Sequence, residues 1–335
     1  RAVFLSSLSF TKRTWESAER SGRDVEAAYW KAVHPWGKQD EESMLYAAAK
    51  FMEHGKPLRA LDNIFRHGKG ENCTASSALI ADVLAACVKT YSEERRGGHS
   101  DYLITQAHKV LTQRMDIDAQ RIALIEWAFF SLLERQKLVL YEELAKDPAP
   151  FAEILVFMFK PVNEPDRRPT EQEAGLARRA YEVLKGWKGM PAMKPDGTID
   201  GEELKKWYRD AKVAVEAKNR LWSDYLFGEK LRYAPKEGDG TWPCLAVREL
   251  IEDLKSDALE QGVGIEVMNS RGVRAVDMGE GDRASSAYYA RLAEEAALTY
   301  PRTAAMLRSI ARSLEHDAQW EVERHETAQD LDFHA

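Results

Sequence analysis

Residues 45–65 read LYAAAKFMEHGKPLRALDNIF, and the fold class turns on that stretch. Leu45, Ala48, Phe51 and Met52 recur at helical spacing and so share one face. Leu58, Leu61 and Phe65 do the same after the break Gly55-Lys56-Pro57. Glycine ends a helix because it tolerates a left-handed backbone, and proline opens the next because its missing N–H had no partner there. Two amphipathic helices on so short a link run antiparallel. The expectation is a helical hairpin.

The same rhythm continues outward. Ile80, Val83, Leu84 and Cys87 form one stripe, and Leu103, Ala107, Val110 and Leu111 another, with the polar loop Arg95-Arg96-Gly97-Gly98-His99 between them. Residues 118–136 are apolar nearly all round, from Ile122 to Leu133, which predicts one helix at the centre of the N-terminal half. Thr170 with Glu173 reads as a capping box, followed by Leu176, Ala180, Val183, Leu184 and Trp187. Asp200 with Glu203 opens a helix carrying Leu204, Trp207, Tyr208 and Ala211, and Asp239-Gly240-Thr241-Trp242-Pro243 precedes the stripe Val247, Leu250, Ile251, Leu254. Pro301 divides two C-terminal helices.

One segment departs from the helical rhythm. Residues Gly264 to Val273 alternate about a turn-forming centre, which predicts a short β-hairpin near 263–276. Strand–helix alternation is missing, so a parallel α/β sheet is not expected. The fold class expected is all-α: an irregular α-solenoid of helix pairs, like tetratricopeptide (TPR) or HEAT arrays, with that one hairpin. Residues 160–170 hold three prolines and no stripe. They separate an N-terminal helical-hairpin region, 1–160, from a C-terminal helical region with the hairpin insert, 161–335.

Composition excludes several functions. Of the 335 residues 44% are hydrophobic, including nine tryptophans, which is too much apolar content for a disordered chain. The formal net charge of -7 lacks the basic footprint of a nucleic-acid binder. No apolar run approaches the roughly 20 residues that span a bilayer, so no membrane is expected. Cys73, Cys87 and Cys244 are too scattered for a disulfide framework or zinc site, and free thiols suit a cytoplasmic setting. The opening Arg1, in place of Met, reads as the start of an excised piece.

Motifs that carry chemistry are missing. There is no H-E-x-x-H, no G-x-S-x-G, no P-loop and no dinucleotide glycine pattern, so no catalytic, cofactor or metal residue is expected. Asp196-Gly197-Thr198-Ile199-Asp200-Gly201-Glu202-Glu203 fits the second half of a calcium loop. Ala192 and Lys194 stand where the first carboxylates belong, so this stretch reads as a capped corner. Candidate binding residues are Trp36 and Trp242, aromatics in loops beside proline, and Asn269 and Arg271, a turn able to hold an anion. A hydrolase-type site between the two halves would draw on Glu249, Asp253, Asn269 and Arg271, since desolvated acids and bases do proton transfer.

Four motifs carry a resemblance: Asp196-Gly-Thr-Ile-Asp-Gly-Glu-Glu-Leu, Asp239-Gly-Thr-Trp-Pro, Asn269-Ser-Arg-Gly-Val and Tyr300-Pro-Arg-Thr-Ala-Ala-Met-Leu. From Pro169 onward the chain resembles a C-terminal helical region of large uncharacterised multidomain bacterial proteins. The resemblance implies a helical module attached to something upstream, and no activity. The function expected is a protein-interaction or scaffold module that binds a protein partner or an upstream domain of its own chain. The alternatives are the hydrolase-type enzyme above and a sensor region of a bacterial defence protein.

Overall fold

In the computed structural model the described residues are 1–37, 39–67, 72–94, 98–135, 137–272 and 279–332, and they form seventeen α-helices and no strand. The chain divides into two compact units, Arg1–Glu143 and Leu144–Ala335. Among the described residues no helix is long and apolar enough to cross a membrane.

The first unit holds α1 (Ala2–Ser6), α2 (Lys12–Glu19), α3 (Arg23–Ala32), α4 (Glu41–Glu53), α5 (Pro57–His67), α6 (Ser77–Glu94), α7 (Gly98–Arg114) and α8 (Ala119–Ala128). The stretch that set the fold class is the α4–α5 hairpin. Gly55 sits at φ +67°, its N–H bonds to the Met52 carbonyl at 3.0 Å, and the Lys56 N–H reaches Phe51 at 2.8 Å. That pair of bonds closes the last carbonyls of α4 and turns the chain into α5. From α4 to α8, each helix packs on the next one along. Phe10, Trp15, Trp30 and Phe51 fill the core around α2 to α4, with ring centroids 4.9–6.2 Å apart. Burying aromatics of this size dominates the local stability.

Residues 118–136 are not one helix. α8 ends at Ala128, a 3₁₀ turn follows at Phe130–Leu132, and Leu124 is 69% exposed, so the segment keeps a solvent face. The reason is Glu126. It is fully buried and accepts from the Leu140 N–H at 2.6 Å, in the first turn of α9 (Val139–Lys146), and pairs with His108 Nε2 at 2.7 Å. A long α8 would carry the chain away from the carboxylate that caps α9.

The second unit holds α10 (Pro148–Met158), α11 (Glu171–Gly186), α12 (Gly201–Ala217), α13 (Asp224–Leu231), α14 (Leu245–Leu254), α15 (Asp257–Asn269), α16 (Glu280–Ala296) and α17 (Pro301–Asp332). The proline-rich segment at 160–170 links α10 to α11 inside this unit. The capping box is formed: Thr170 Oγ1 accepts from the Glu173 N–H, and the Glu173 carboxylate accepts from the Thr170 N–H at 2.8 Å. α10 packs on α11 and α12, α13 on α15, and α16 on α17. Phe151 sits among Trp187, Trp207 and Trp222 at 5.1–6.1 Å.

Among the described residues the expected hairpin near 263–276 is not seen. Residues 257–269 are the continuous helix α15, and 273–276 lie outside the described residues. Gly262, with Gly228 of α13 opposite it, serves a helix crossing instead. A Cβ on Gly262 would stand 2.1 Å from the Tyr225 carbonyl oxygen of α13, and one on Gly228 would stand 2.2 Å from the Leu259 oxygen of α15. Each glycine lets the opposing backbone come close. Leu259, Val263 and Val267 then bury one helical face.

Candidate functional site

The four residues singled out from sequence have different environments. Trp36 lies in the loop after α3 and is 48% exposed. The start of that loop is held by the Arg59 guanidinium, which donates to the Lys31 and Val33 carbonyls at 2.6 and 2.8 Å. Trp242 is buried, with its indole N–H on the Ala234 carbonyl at 3.1 Å and its ring edge-on to Tyr289. Asn269 ends α15 in solvent. Arg271 pairs with Asp282 at 2.8 Å and Asp317 at 2.6 Å, so it ties α15 to α16 and α17.

Of the acid–base set, Asp253 pairs with Lys205 at 2.6 Å, while Glu249 lines a cleft of about 430 Å³ with Thr198, Lys236, Glu237 and Cys244. Asp253, Asn269 and Arg271 do not line it. The Glu237 carboxylate accepts from the Leu245 N–H in the first turn of α14, and burial pushes the Cys244 thiol above its usual range. A capping carboxylate and a protonated thiol are poor acid–base equipment.

The Asp196–Glu203 stretch is a corner. Asp196 Oδ1 accepts from the Thr198 hydroxyl at 2.7 Å and N–H at 2.9 Å, and Asp200 Oδ1 accepts from the N–H groups of Glu202 and Glu203 at 2.9 and 3.0 Å. Those bonds hold both carboxyls below the usual range: the Thr198 side chain leads for Asp196, and the Glu203 N–H for Asp200. Gly197 supplies the turn at φ +83°.

Two features escaped the sequence reading. One is Lys230, 2% exposed on α13, which donates to the carbonyls of Leu184 at 2.6 Å and Trp187 at 3.3 Å. These carbonyls belong to the end of α11, where a cation is favoured by both hydrogen bonding and the helix dipole. Burial pulls the ammonium down to about 8. Beside it Glu266 accepts from the Tyr233 hydroxyl at 2.5 Å and from Lys188 at 3.3 Å. The cluster is a helix clasp, with its ammonium shut away from solvent.

The other is an open groove of about 340 Å³ between α15 and α17. Its floor is Gly264, Ile265 and Met268 on one side and Met306 and Ile310 on the other. Positions 257, 261 and 265, with 260, 264 and 268, repeat every four residues along α15, as 305, 309 and 313 do along α17. Ala305, Ser309 and Ser313 are small, which keeps the channel clear. Asp257 and Glu260 stand at one end, both bonded to the Arg302 guanidinium, with the Glu260 contact at 2.6 Å. Burial pushes the Glu260 carboxyl up. Glu252 caps α17 by accepting from the Thr303 N–H at 2.9 Å.

The second unit is the more acidic of the two. Residues 1–143 hold 20 Lys and Arg against 20 Asp and Glu, whereas 144–335 hold 28 against 35. Within 245–332, the segment containing α14 to α17, the count is 10 against 18. Comparison of the chain with protein-family models, curated proteins and solved structures finds no match.

Proposed function

We propose that the chain is a helical interaction module, in which helix pairs stacked as an irregular α-solenoid present a docking surface to a protein partner or to an upstream part of the same chain. The single observation that carries this reading is the α15–α17 groove: an apolar floor, open to solvent, with Ile265 37% exposed. Sequential packing from α4 to α8 supports the repeat-like part of it, since such arrays present extended surfaces. Its setting is cytoplasmic, in keeping with three buried free cysteines. Two of the buried charged groups serve helix ends: Glu126 caps α9 and Lys230 closes α11. That commitment favours a scaffold over a reaction centre.

The test is site-directed photocrosslinking in the cell of origin, with a photoreactive residue replacing Ile265 in one variant and exposed Trp36 in another. A discrete adduct at either position is the expected outcome. Absence of any adduct from a set of positions covering both units would refute the reading.

A further inference from the structure

Glu249 differs from the acids around it. Asp253, one turn further along α14, holds Lys205 at 2.6 Å, and Glu202 shares that lysine at 3.6 Å. Glu237 accepts from the Leu245 N–H and has Arg248 at 3.9 Å. Asp200 takes the N–H groups of Glu202 and Glu203 at the start of α12. Glu249 is half-buried, and among the described residues it makes no hydrogen bond and no ion pair. Its Oε2 lies against the start of α12, where a Cβ on Gly201 would stand 3.6 Å from it. Lys205 is within its electrostatic reach but is committed to Asp253. A carboxylate taken partly out of water with no donor supplied leaves that donor to come from outside.

The carboxylate lines the cleft of about 430 Å³, and clefts of about 300–1,000 Å³ are those that hold small organic groups. Ile199, Pro235, Leu245 and Ala246 give it apolar lining. Lys236 lines it too, but its ammonium rests 4.9 Å from the centroid of the Tyr288 ring, and Tyr288 lies outside the lining. With Glu237 balanced by Arg248, the charge left for a ligand is that of Glu249. We propose that this cleft binds an organic cation, an ammonium or guanidinium on a short apolar stem, with Glu249 as its counter-ion. The apolar lining takes the stem, and the carboxylate accepts from the charged head. The site is apart from the α15–α17 groove and does not depend on the interaction reading.

The experiment titrates the full chain by isothermal calorimetry with n-pentylammonium, with pentanol and pentanoate as matched probes, and with N-acetyl-lysine methylamide. Saturable binding of the cations alone is expected, weakened by raising the salt. Glu249→Gln keeps the shape of the side chain and removes its charge, and should weaken binding about tenfold or more. The Tm should stay unchanged, since the carboxylate has no partner in the fold. Thr198→Trp, at an exposed position on the cleft, should block entry. Glu216→Gln removes an exposed carboxylate at the far end of α12 and should bind as wild type. Circular dichroism confirms that each variant is folded.

The absence of saturable binding by either cation overturns the proposal. So do equal binding of pentanol, unchanged binding by folded Glu249→Gln, and a large Tm loss in that variant, which would make the carboxylate a structural group. Capped lysine binding as tightly as pentylammonium supports the proposal with a polypeptide side chain as the source of the cation. Binding of pentylammonium alone supports it with a free amine as the source.

Discussion

Gly228→Ala is expected to destabilise the second unit even though alanine is the better helix former. Taken alone, the exchange stabilises a helix by about 1 kcal/mol. Against that, the new methyl would stand 2.2 Å from the Leu259 carbonyl oxygen, 2.9 Å from its carbon and 3.1 Å from its Cα. Carbon and oxygen approach to about 3.3 Å at closest, so α13 and α15 must part by about 1 Å. These atoms are backbone and have no rotamer to escape into. A gap of that size forfeits a quarter to a half of the dispersion energy across the crossing, where Phe227, Leu231, Leu259 and Val263 are buried. Overpacking of this kind costs about 3 kcal/mol at the upper end, leaving a net loss of about 2 kcal/mol after the propensity gain.

Urea denaturation followed by circular dichroism measures it, with a Tm drop of about 4–8 °C as a second readout. Gly175→Ala is the matched control. Gly175 is exposed within α11 with nothing near its Cβ position, so this variant should gain up to about 1 kcal/mol. If Gly228→Ala is as stable as Gly175→Ala, the close backbone crossing does not set this packing.

Three further outcomes follow from buried and half-buried charges. The Lys230 ammonium loses its proton near 8 in the folded chain but near 10.5 when unfolded, so between those values the unfolded chain binds more protons and stability rises with pH. The stability difference between wild type and Lys230→Met should therefore grow by about 1–2 kcal/mol from pH 8 to pH 10, and a flat difference would refute it. Asp224 accepts from the Tyr208 hydroxyl at 2.6 Å, Trp222 Nε1 at 2.7 Å and the Ser256 hydroxyl at 2.8 Å. Burial alone would raise its carboxyl, but the three donors outweigh that and hold it below the usual range. Its contribution is present above the ordinary carboxylate range and lost as pH falls through the depressed value. Asp224→Asn should flatten the acid limb of the stability curve, read by urea midpoints from pH 6 downward. Glu126→Ala leaves the Leu140 N–H and His108 without their acceptor and should cost about 3 kcal/mol in chemical denaturation of the first unit.

What the sequence made legible was local. The α4–α5 hairpin could be read because its apolar spacing and its Gly-Lys-Pro break lie within 21 consecutive residues, 45–65. The Thr170 box and the Asp200 cap were legible for the same reason: capping partners lie two or three positions apart. What failed was non-local. Gly262 and Gly264 look like turn residues until Tyr225 and Glu229 of α13 are placed against Gly262. Glu126 looks like a solvent break in an apolar run until Leu140 arrives 14 residues later. Lys230 carries no sign of burial, since its acceptor is 46 residues away. The groove arises from two four-residue rhythms on different helices, one over 257–268 and the other over 305–313, which meet only when α15 packs on α17.

The lysine clasp also fixes how the second unit comes apart. α11 finishes on carbonyls whose donor belongs to α13, so the end of α11 is satisfied only with α13 in place. A fragment cut between 187 and 224 would leave the end of α11 bare, and its last turn would fray. Limited proteolysis should therefore spare that linker until the whole unit melts, and amide exchange at the end of α11 should slow in step with that of α13. The end of α11 and α13 should therefore open together, although α12 separates them in the chain.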